Sequence, residues 1–217
     1  MRITECFYSI QGEGRKAGLP TAFVRTTGCH LRCSWCDATY TFKGGEERSL
    51  DDLFAWLAEQ PTKEVCFTGG EPLLQKEAWP FIERLVADGY GVVVETAGNL
   101  PFERANDLPA AERELLTISM DVKCPSSGED AKNEPGNMAH LRPSDQLKFV
   151  IADRADYDYA VALLRQHGLP PCPTYFNPVG GVEPAHITEW LLAETEPLPV
   201  HVGVQLHKLV WGDEPGR

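Results

Sequence analysis

Three thiols crowd into GCHLRCSWCDATY, residues 28–40: Cys29, Cys33 and Cys36, with no fourth cysteine close behind. A structural zinc site is normally closed by four Cys or His ligands, and electron-transfer [4Fe–4S] proteins also take four cysteines. His30 would complete a zinc set only as the chain neighbour of Cys29, a strained contiguous pair. Three thiolates suit a cubane held at three irons, with the last iron open to a chelating ligand. The amino and carboxylate groups of S-adenosylmethionine (SAM) form such a chelate. One electron from the cluster then breaks the sulfonium C–S bond and gives a 5′-deoxyadenosyl radical, with the protein supplying position and excluding water. Two other readings stay open: a zinc module would carry zinc without iron or sulfide, and an electron carrier would hold the cluster without cleaving SAM.

Other chemistry-bearing residues fall in short stretches. TGGEP (68–72) places Gly69 and Gly70 where backbone can approach a ligand that a Cβ would push away, although a bare tight turn reads the same. ETAGN (95–99), DVKCP (121–125), NPVGG (177–181) and QLHK (205–208) are the rest. Net charge is −12, which argues against direct nucleic-acid or membrane-surface binding and makes each cation informative. Arg25, Lys123, Lys148, His207 and Lys208 all lie in or near these stretches. Arg25 interrupts an apolar run, AFVRTT, and buried arginine is costly unless paired. It forms either a structural ion pair or a clamp on a ligand carboxylate; we read it as the clamp.

These stretches need elements to position them. Near-continuous apolar runs predict strands at 21–27, 64–68, 91–95, 115–122, 146–151, 174–178 and 200–206, as for parallel strands covered on both faces. Helices are expected over SLDDLFAWLAEQ, with a capping-box variant at Ser49 and Asp52, and over WPFIERLVADG, DRADYDYAVALLRQHG and PAHITEWLLAE. Every candidate stretch then sits at the carboxyl end of a strand, the rim where parallel α/β proteins build active sites. A full eight-fold barrel takes about 250 residues. The 217 residues here predict a single α/β domain over 1–217, an incomplete TIM-like barrel of six to seven mainly parallel strands. Residues 123–145 read as a mobile lid or a disordered excursion. Seven cysteines without a signal-like N-terminus or a membrane-length apolar run predict a soluble, cytoplasmic, reduced protein. Cys6, Cys66, Cys124 and Cys172 are expected to be packing residues.

The C-x3-C-x2-C spacing, with Trp35 before the last cysteine, resembles the radical SAM superfamily signature, and TGGEP resembles its glycine-rich motif. FYSIQGEGRKAGLPTAFVRTTGCHLRCSWCD is similar to the N-terminal signature of the 7-carboxy-7-deazaguanine synthase family. VVVETAGNLP, DVKCPSSG, DQLKFVI and VQLHK match that family's segments in order. The resemblance implies ring contraction of 6-carboxy-5,6,7,8-tetrahydropterin to 7-carboxy-7-deazaguanine with loss of ammonia, a step of queuosine and 7-deazapurine biosynthesis. It also implies a homodimer, an external one-electron reductant, a [4Fe–4S] cluster on Cys29, Cys33 and Cys36, SAM, and Mg²⁺. SAM contacts carry over to Trp35, Gly69, Gly70, Glu71, Asp121, Val122, Lys123, Asn177, Pro178, Val179 and Gly180. Substrate contacts carry over to Ile10, Gln11, Gly12, Arg25, Thr68, Glu95, Lys148 and His207. Glu95 would accept two hydrogen bonds from the pterin amidine edge, with a surface carboxylate as the plain alternative; His207 has a structural alternative too.

One departure concerns the magnesium. The family reads Cys-Asp-Thr after the last cysteine, whereas this chain reads Cys36-Asp37-Ala38-Thr39. Magnesium wants oxygen ligands, so Thr39 is the remaining candidate and weak magnesium dependence is expected. A glycyl-radical activase is the rival within the superfamily; it would share the cysteine loop but not FYSIQGEG. The tail VWGDEPGR (210–217) matches nothing and is assigned no role.

Overall fold

In a computed structural model, residues 1–180, 182–212, 214 and 216 are described. The strands are β1 (Arg2–Ile10), β2 (Pro20–Thr26), β3 (Glu46–Glu47), β4 (Glu64–Gly69), β5 (Gly91–Thr96), β6 (Leu116–Val122), β7 (Gln146–Ile151), β8 (Thr174–Pro178) and β9 (Val200–Val202). The helices are α1 (Leu50–Ala58), α2 (Ala78–Ala87), α3 (Ala110–Leu115), α4 (Arg154–His167), α5 (Pro184–Leu192) and α6 (Leu206–Trp211). One sheet runs in the order β3-β1-β2-β4-β5-β6-β7-β8-β9. From β2 to β9 every neighbouring pair is parallel, whereas β1 lies antiparallel to β2 and to β3. The expected open, mainly parallel barrel fragment is therefore what forms, with an antiparallel edge added at its front.

Alternation along the strands separates two environments, because successive side chains point to opposite faces. Val65 and Phe67 of β4, Val92 and Val94 of β5, Ile118 of β6 and Phe149 of β7 face the helices and are fully or almost fully buried. Against them pack Leu53 and Leu57 of α1, Phe81 and Ile82 of α2, and Tyr157 of α4. Phe67 meets Phe81 edge-to-face at 5.2 Å. The other face carries Arg25, Cys66, Thr68, Glu95, Asp121 and Lys148, which line a cavity. Helix α1 starts where expected: Ser49 accepts from the Asp52 N–H and Asp52 reaches back to Ser49, a capping box of the kind worth about 1 kcal/mol.

Four expectations need correction. β1 was not predicted as a strand, because RITECFYSI mixes polar and apolar residues as a half-covered edge strand does. The expected strand over 200–206 stops at Val202, since Gly203 packs against Asn177: a Cβ there would lie 1.9 Å from Asn177 Oδ1. Residues 206–211 then turn into α6, and α3 is a further helix. Finally, 123–145 is not a disordered excursion. It folds into three short 3-10 turns that bury Cys124, Ser127, Met138 and Leu141. Asn133 holds its start by exchanging hydrogen bonds with the Lys123 backbone at 3.0 and 2.7 Å.

Candidate active site

The inward face of the sheet bounds a cavity of about 530 Å³, a size suited to a cofactor together with a small substrate. Sheet register lines up its wall: Arg25 pairs with Thr68, Glu95 with Ser119 and Asp121 with Lys148. The cysteine loop that follows β2 closes one end. Cys29, Cys33 and Cys36 all line this cavity, beside Trp35, Gly69 and Gly70. Among the described residues, no three His, Cys, Asp or Glu are gathered to hold a single metal ion. Burial pushes the Cys29 and Cys33 thiols up from their ordinary range, while the Lys123 ammonium works in the opposite direction. Binding of a metal cluster would release those protons. A loop of three soft donors beside that cation fits an iron–sulfur cluster.

Gly69 and Gly70 line the cavity and also allow a close packing behind it. A Cβ on Gly69 would lie 2.1 Å from Thr26 Oγ1, and one on Gly70 would lie 2.3 Å from Gly28 O and 2.8 Å from Cys29 Cβ. Both glycines let the end of β4 press against the start of the cysteine loop. Gly70→Ala is therefore expected to shove Cys29 out of place. A 1 Å misplacement can cost about 10²-fold in rate, so deoxyadenosine formation should fall by about that factor. Gly136→Ala, with nothing within 4 Å of its Cβ, is the matched control. Glu71 does not line the cavity: its fully buried carboxylate accepts from Leu73 N at 3.0 Å, Thr96 Oγ1 at 2.9 Å and Ala97 N at 2.8 Å. It ties the glycine turn to the end of β5.

The other end of the cavity is a charge network centred on Lys148. Its Nζ lies 2.9 Å from Glu13 Oε2, 3.2 Å from Glu95 Oε2 and 3.9 Å from Asp121 Oδ2. Glu13 also accepts from Gln205 Nε2 at 2.8 Å and Asn177 Nδ2 at 3.1 Å. Burial opposes the Glu13 charge, but Lys148 and Gln205 overcome it and hold the carboxyl down at about 2. Glu95 goes the other way: burial outweighs its share of Lys148 and lifts it above the usual carboxylate range. Lys123 donates to Asp121 Oδ2 at 2.9 Å and stands 5.5 Å from the Trp35 ring centroid. Asp121 Oδ1 is buried without a hydrogen-bond partner, an acceptor available to a ligand donor.

The remaining sequence-derived residues divide by where they point. Ile10, Gln11, Gly12, Pro178, Val179, Gly180 and His207 line the cavity. Gly12 makes room for His207, since a Cβ there would sit 1.9 Å from the imidazole Nδ1. Burial lowers the His207 pKa, favouring the neutral ring. Arg25 lines the cavity but is paired, its Nε donating to Glu5 Oε1 at 2.7 Å. Val122 falls on the opposite parity of β6 and is buried in the core. Asn177 is buried behind the wall, holding Glu13. Gly181 lies outside the described residues, as do Asp213, Pro215 and Arg217 of the tail. Gly212, Glu214 and Gly216 of that tail reach the cavity. Glu13 and Gln205 were missed by sequence reasoning; a carboxylate between two glycines in QGEG reads as a solvated turn until β1 is known to carry it into the cavity.

Among the described residues, no side-chain oxygen stands at the family's magnesium position. Thr39 is exposed and outside the cavity wall. Ala38 lines the wall but has no side-chain oxygen, and the Thr41 hydroxyl donates to Ala38 O at 2.7 Å. Asp37 reaches the cavity while paired with Lys208 at 3.3 Å.

The sequence pattern of the radical SAM superfamily matches residues 23–184, from β2 to the start of α5. The 7-carboxy-7-deazaguanine synthase of Koribacter versatilis (strain Ellin345) is 43% identical over 99% of this chain and 98% of its own length. The chain belongs to the radical SAM 7-carboxy-7-deazaguanine synthase family. The synthase of Thermoplasma acidophilum is 39% identical, with all of both chains covered. Among solved structures, QueE from Escherichia coli superposes with a TM-score of 0.75 over 95% of this chain and 94% of its own, at 20% identity, a likeness in fold. Membership of the radical SAM family implies a [4Fe–4S] cluster and SAM, and the cysteine loop is where this family member offers thiols for the cluster. No helix among the described residues is long and apolar enough to cross a membrane.

Proposed function

We propose that this chain is a 7-carboxy-7-deazaguanine synthase: it rearranges 6-carboxy-5,6,7,8-tetrahydropterin to 7-carboxy-7-deazaguanine with release of ammonia. The observation that carries the reading is the meeting of the cysteine loop and the Lys148-centred charges in one cavity. The cluster, with SAM and an external one-electron reductant, supplies a 5′-deoxyadenosyl radical when bound. The protein's own residues position, polarise and shield. Cys29, Cys33 and Cys36 would hold the cluster, and Asp121, Lys123, Trp35 and the 178–180 turn would hold SAM. Lys148 and Arg25 offer cations to the substrate carboxylate. Glu95, kept above its usual range by burial, can donate or accept a proton at the amidine edge, and neutral His207 can do the same from elsewhere in the cavity lining.

Magnesium enters this proposal only through substrate and water, because Ala38 and the outward Thr39 leave no side-chain oxygen in the family position. Purified protein reconstituted anaerobically with iron and sulfide, given reductant, SAM and the carboxypterin, should yield ammonia and a deazaguanine chromophore. Absence of both products overturns the assignment. In the same assay, chelating magnesium should lower turnover by less than about tenfold; a larger loss restored by Mg²⁺ alone would refute weak dependence. The reading includes a reduced cytoplasmic setting, supported by seven free cysteines. It also includes a homodimer, for which exposed Leu192 and Leu209 offer apolar surface; sedimentation at micromolar concentration checks it.

A further inference from the structure

The two residues between Cys33 and Cys36 are both held from one short turn. Ser34 donates its backbone N–H to Ser127 O at 3.0 Å and its hydroxyl to Ser126 O at 2.6 Å. Trp35 donates its indole N–H to Ser126 Oγ at 3.0 Å. The turn, Pro125–Ser127, is in turn fixed from behind. Ser126 donates its backbone N–H to Asp156 Oδ1 at 2.9 Å and its hydroxyl to Asp156 Oδ2. Asp156 lies in the first turn of α4 and is fully buried. Its Oδ2 also accepts from Ala152 N at 2.9 Å. It does not line the cavity, so nothing in the proposed reaction touches it.

We infer that Asp156 is a positioning residue for the cysteine loop: through Ser126 it fixes Ser34 and Trp35, and so the placement of the Cys33 and Cys36 thiols. This rests on the functional reading above, since thiol placement matters in this way only if the loop carries a cluster. The polarity of the chain of bonds demands a carboxylate. Ser126 spends its one hydroxyl proton on Asp156, which leaves a lone pair to accept the indole N–H. All three groups facing Asp156 are donors, so an amide would set its own N–H against one of them. A buried carboxylate with three donors is well satisfied. Groups that orient metal ligands commonly change metal affinity by about 10–100-fold when removed.

The test compares anaerobically reconstituted parent, Trp35→Phe, Asp156→Asn and the double variant. Iron loss to a ferrous chelator is timed, the reduced cluster is examined by EPR without SAM, and thermal unfolding is followed in parallel. Each single variant should lose iron about 10-fold faster with altered EPR g values, and Trp35→Phe should keep the parent's unfolding temperature. The double variant should lose iron no faster than Asp156→Asn, because both changes break one path. If Asp156→Asn does not fold, Ser126→Ala takes its place with the same expectations. Parent-like iron loss and EPR in the single variants would overturn the inference, as would multiplied effects in the double variant. A parent that assembles no cluster overturns the functional reading itself; a loaded parent with unmoved variants overturns this positioning role alone.

Discussion

Replacing any one of Cys29, Cys33 or Cys36 with alanine should reduce deoxyadenosine formation to background. Each thiol lines the same cavity, and a cluster held at three irons needs all three of them. Cys66 also reaches the cavity, but it is buried in β4, where burial drives its thiol far above the ordinary range and Gln11 Nε2 lies 3.7 Å away. Losing one ligand forfeits the cofactor-borne part of an acceleration that in enzymes is at least about 10⁶-fold. The fold should survive, because the loop lies outside the core formed by the sheet and its helices. Iron and sulfide content, far-ultraviolet circular dichroism and deoxyadenosine yield measured on one preparation separate these effects. Parent-level deoxyadenosine from any of the three variants would refute the cluster assignment.

Lys148→Met should be the most destabilising change in the cavity wall. It leaves Glu13 and Glu95 facing each other without the cation between them. Breaking a buried pair in this way costs about 3–5 kcal/mol, which for a chain of this size lowers Tm by about 6–20 °C. The pH dependence carries a sign that a plain packing defect would lack. In the parent, the Glu13 carboxyl is held at about 2, below its unfolded value near 4.5. Its contribution is therefore present above pH 4.5 and lost as pH falls through 2. In the variant both carboxyls lose Lys148 and burial raises them above their unfolded values. Stability is then fullest below the unfolded value and drains away as pH rises through the folded one. The deficit in Tm relative to parent should be smaller at pH 5 than at pH 7.5. An equal deficit at both would show that Lys148 acts by packing alone.

Much of this architecture is readable from the chain. The apolar runs at Val65–Phe67, Gly91–Val94 and Leu147–Ile151 are strands because both of their faces are covered, one by helices and one by the cavity wall. Ser49 and Asp52 announce α1 through local chemistry alone. What periodicity hides is the partner of a polar residue. Arg25 stands in the cavity wall as its place in the strand suggests, but its partner Glu5 is brought beside it only by β1. Asp121 and Lys123 point into the cavity while Val122 between them points into the core, a parity that a contiguous match of three residues does not carry. The Glu71 side chain reads as a ligand contact until the end of β5 supplies Thr96 Oγ1 and Ala97 N to it, beside Leu73 N of its own turn. Residues 123–145 look unstructured because their polar groups are satisfied by distant segments, Asp156 and the cysteine loop among them.

The β1–β2 loop and the segment entering α6 meet across the mouth of the cavity. Leu206 N donates to Gly12 O at 2.8 Å, and Gln205 grips Glu13. These partners lie almost two hundred positions apart along the chain. Contacts of such range form late, after closer pairings have closed their loops. During synthesis the three cysteines emerge first, then Ser126 and Asp156 that hold their loop, and Gln205, which finishes the pocket wall, last. The order of the chain thus supplies the parts of the site in turn: the thiols, then the segment that steadies them, and last the residues that close the wall.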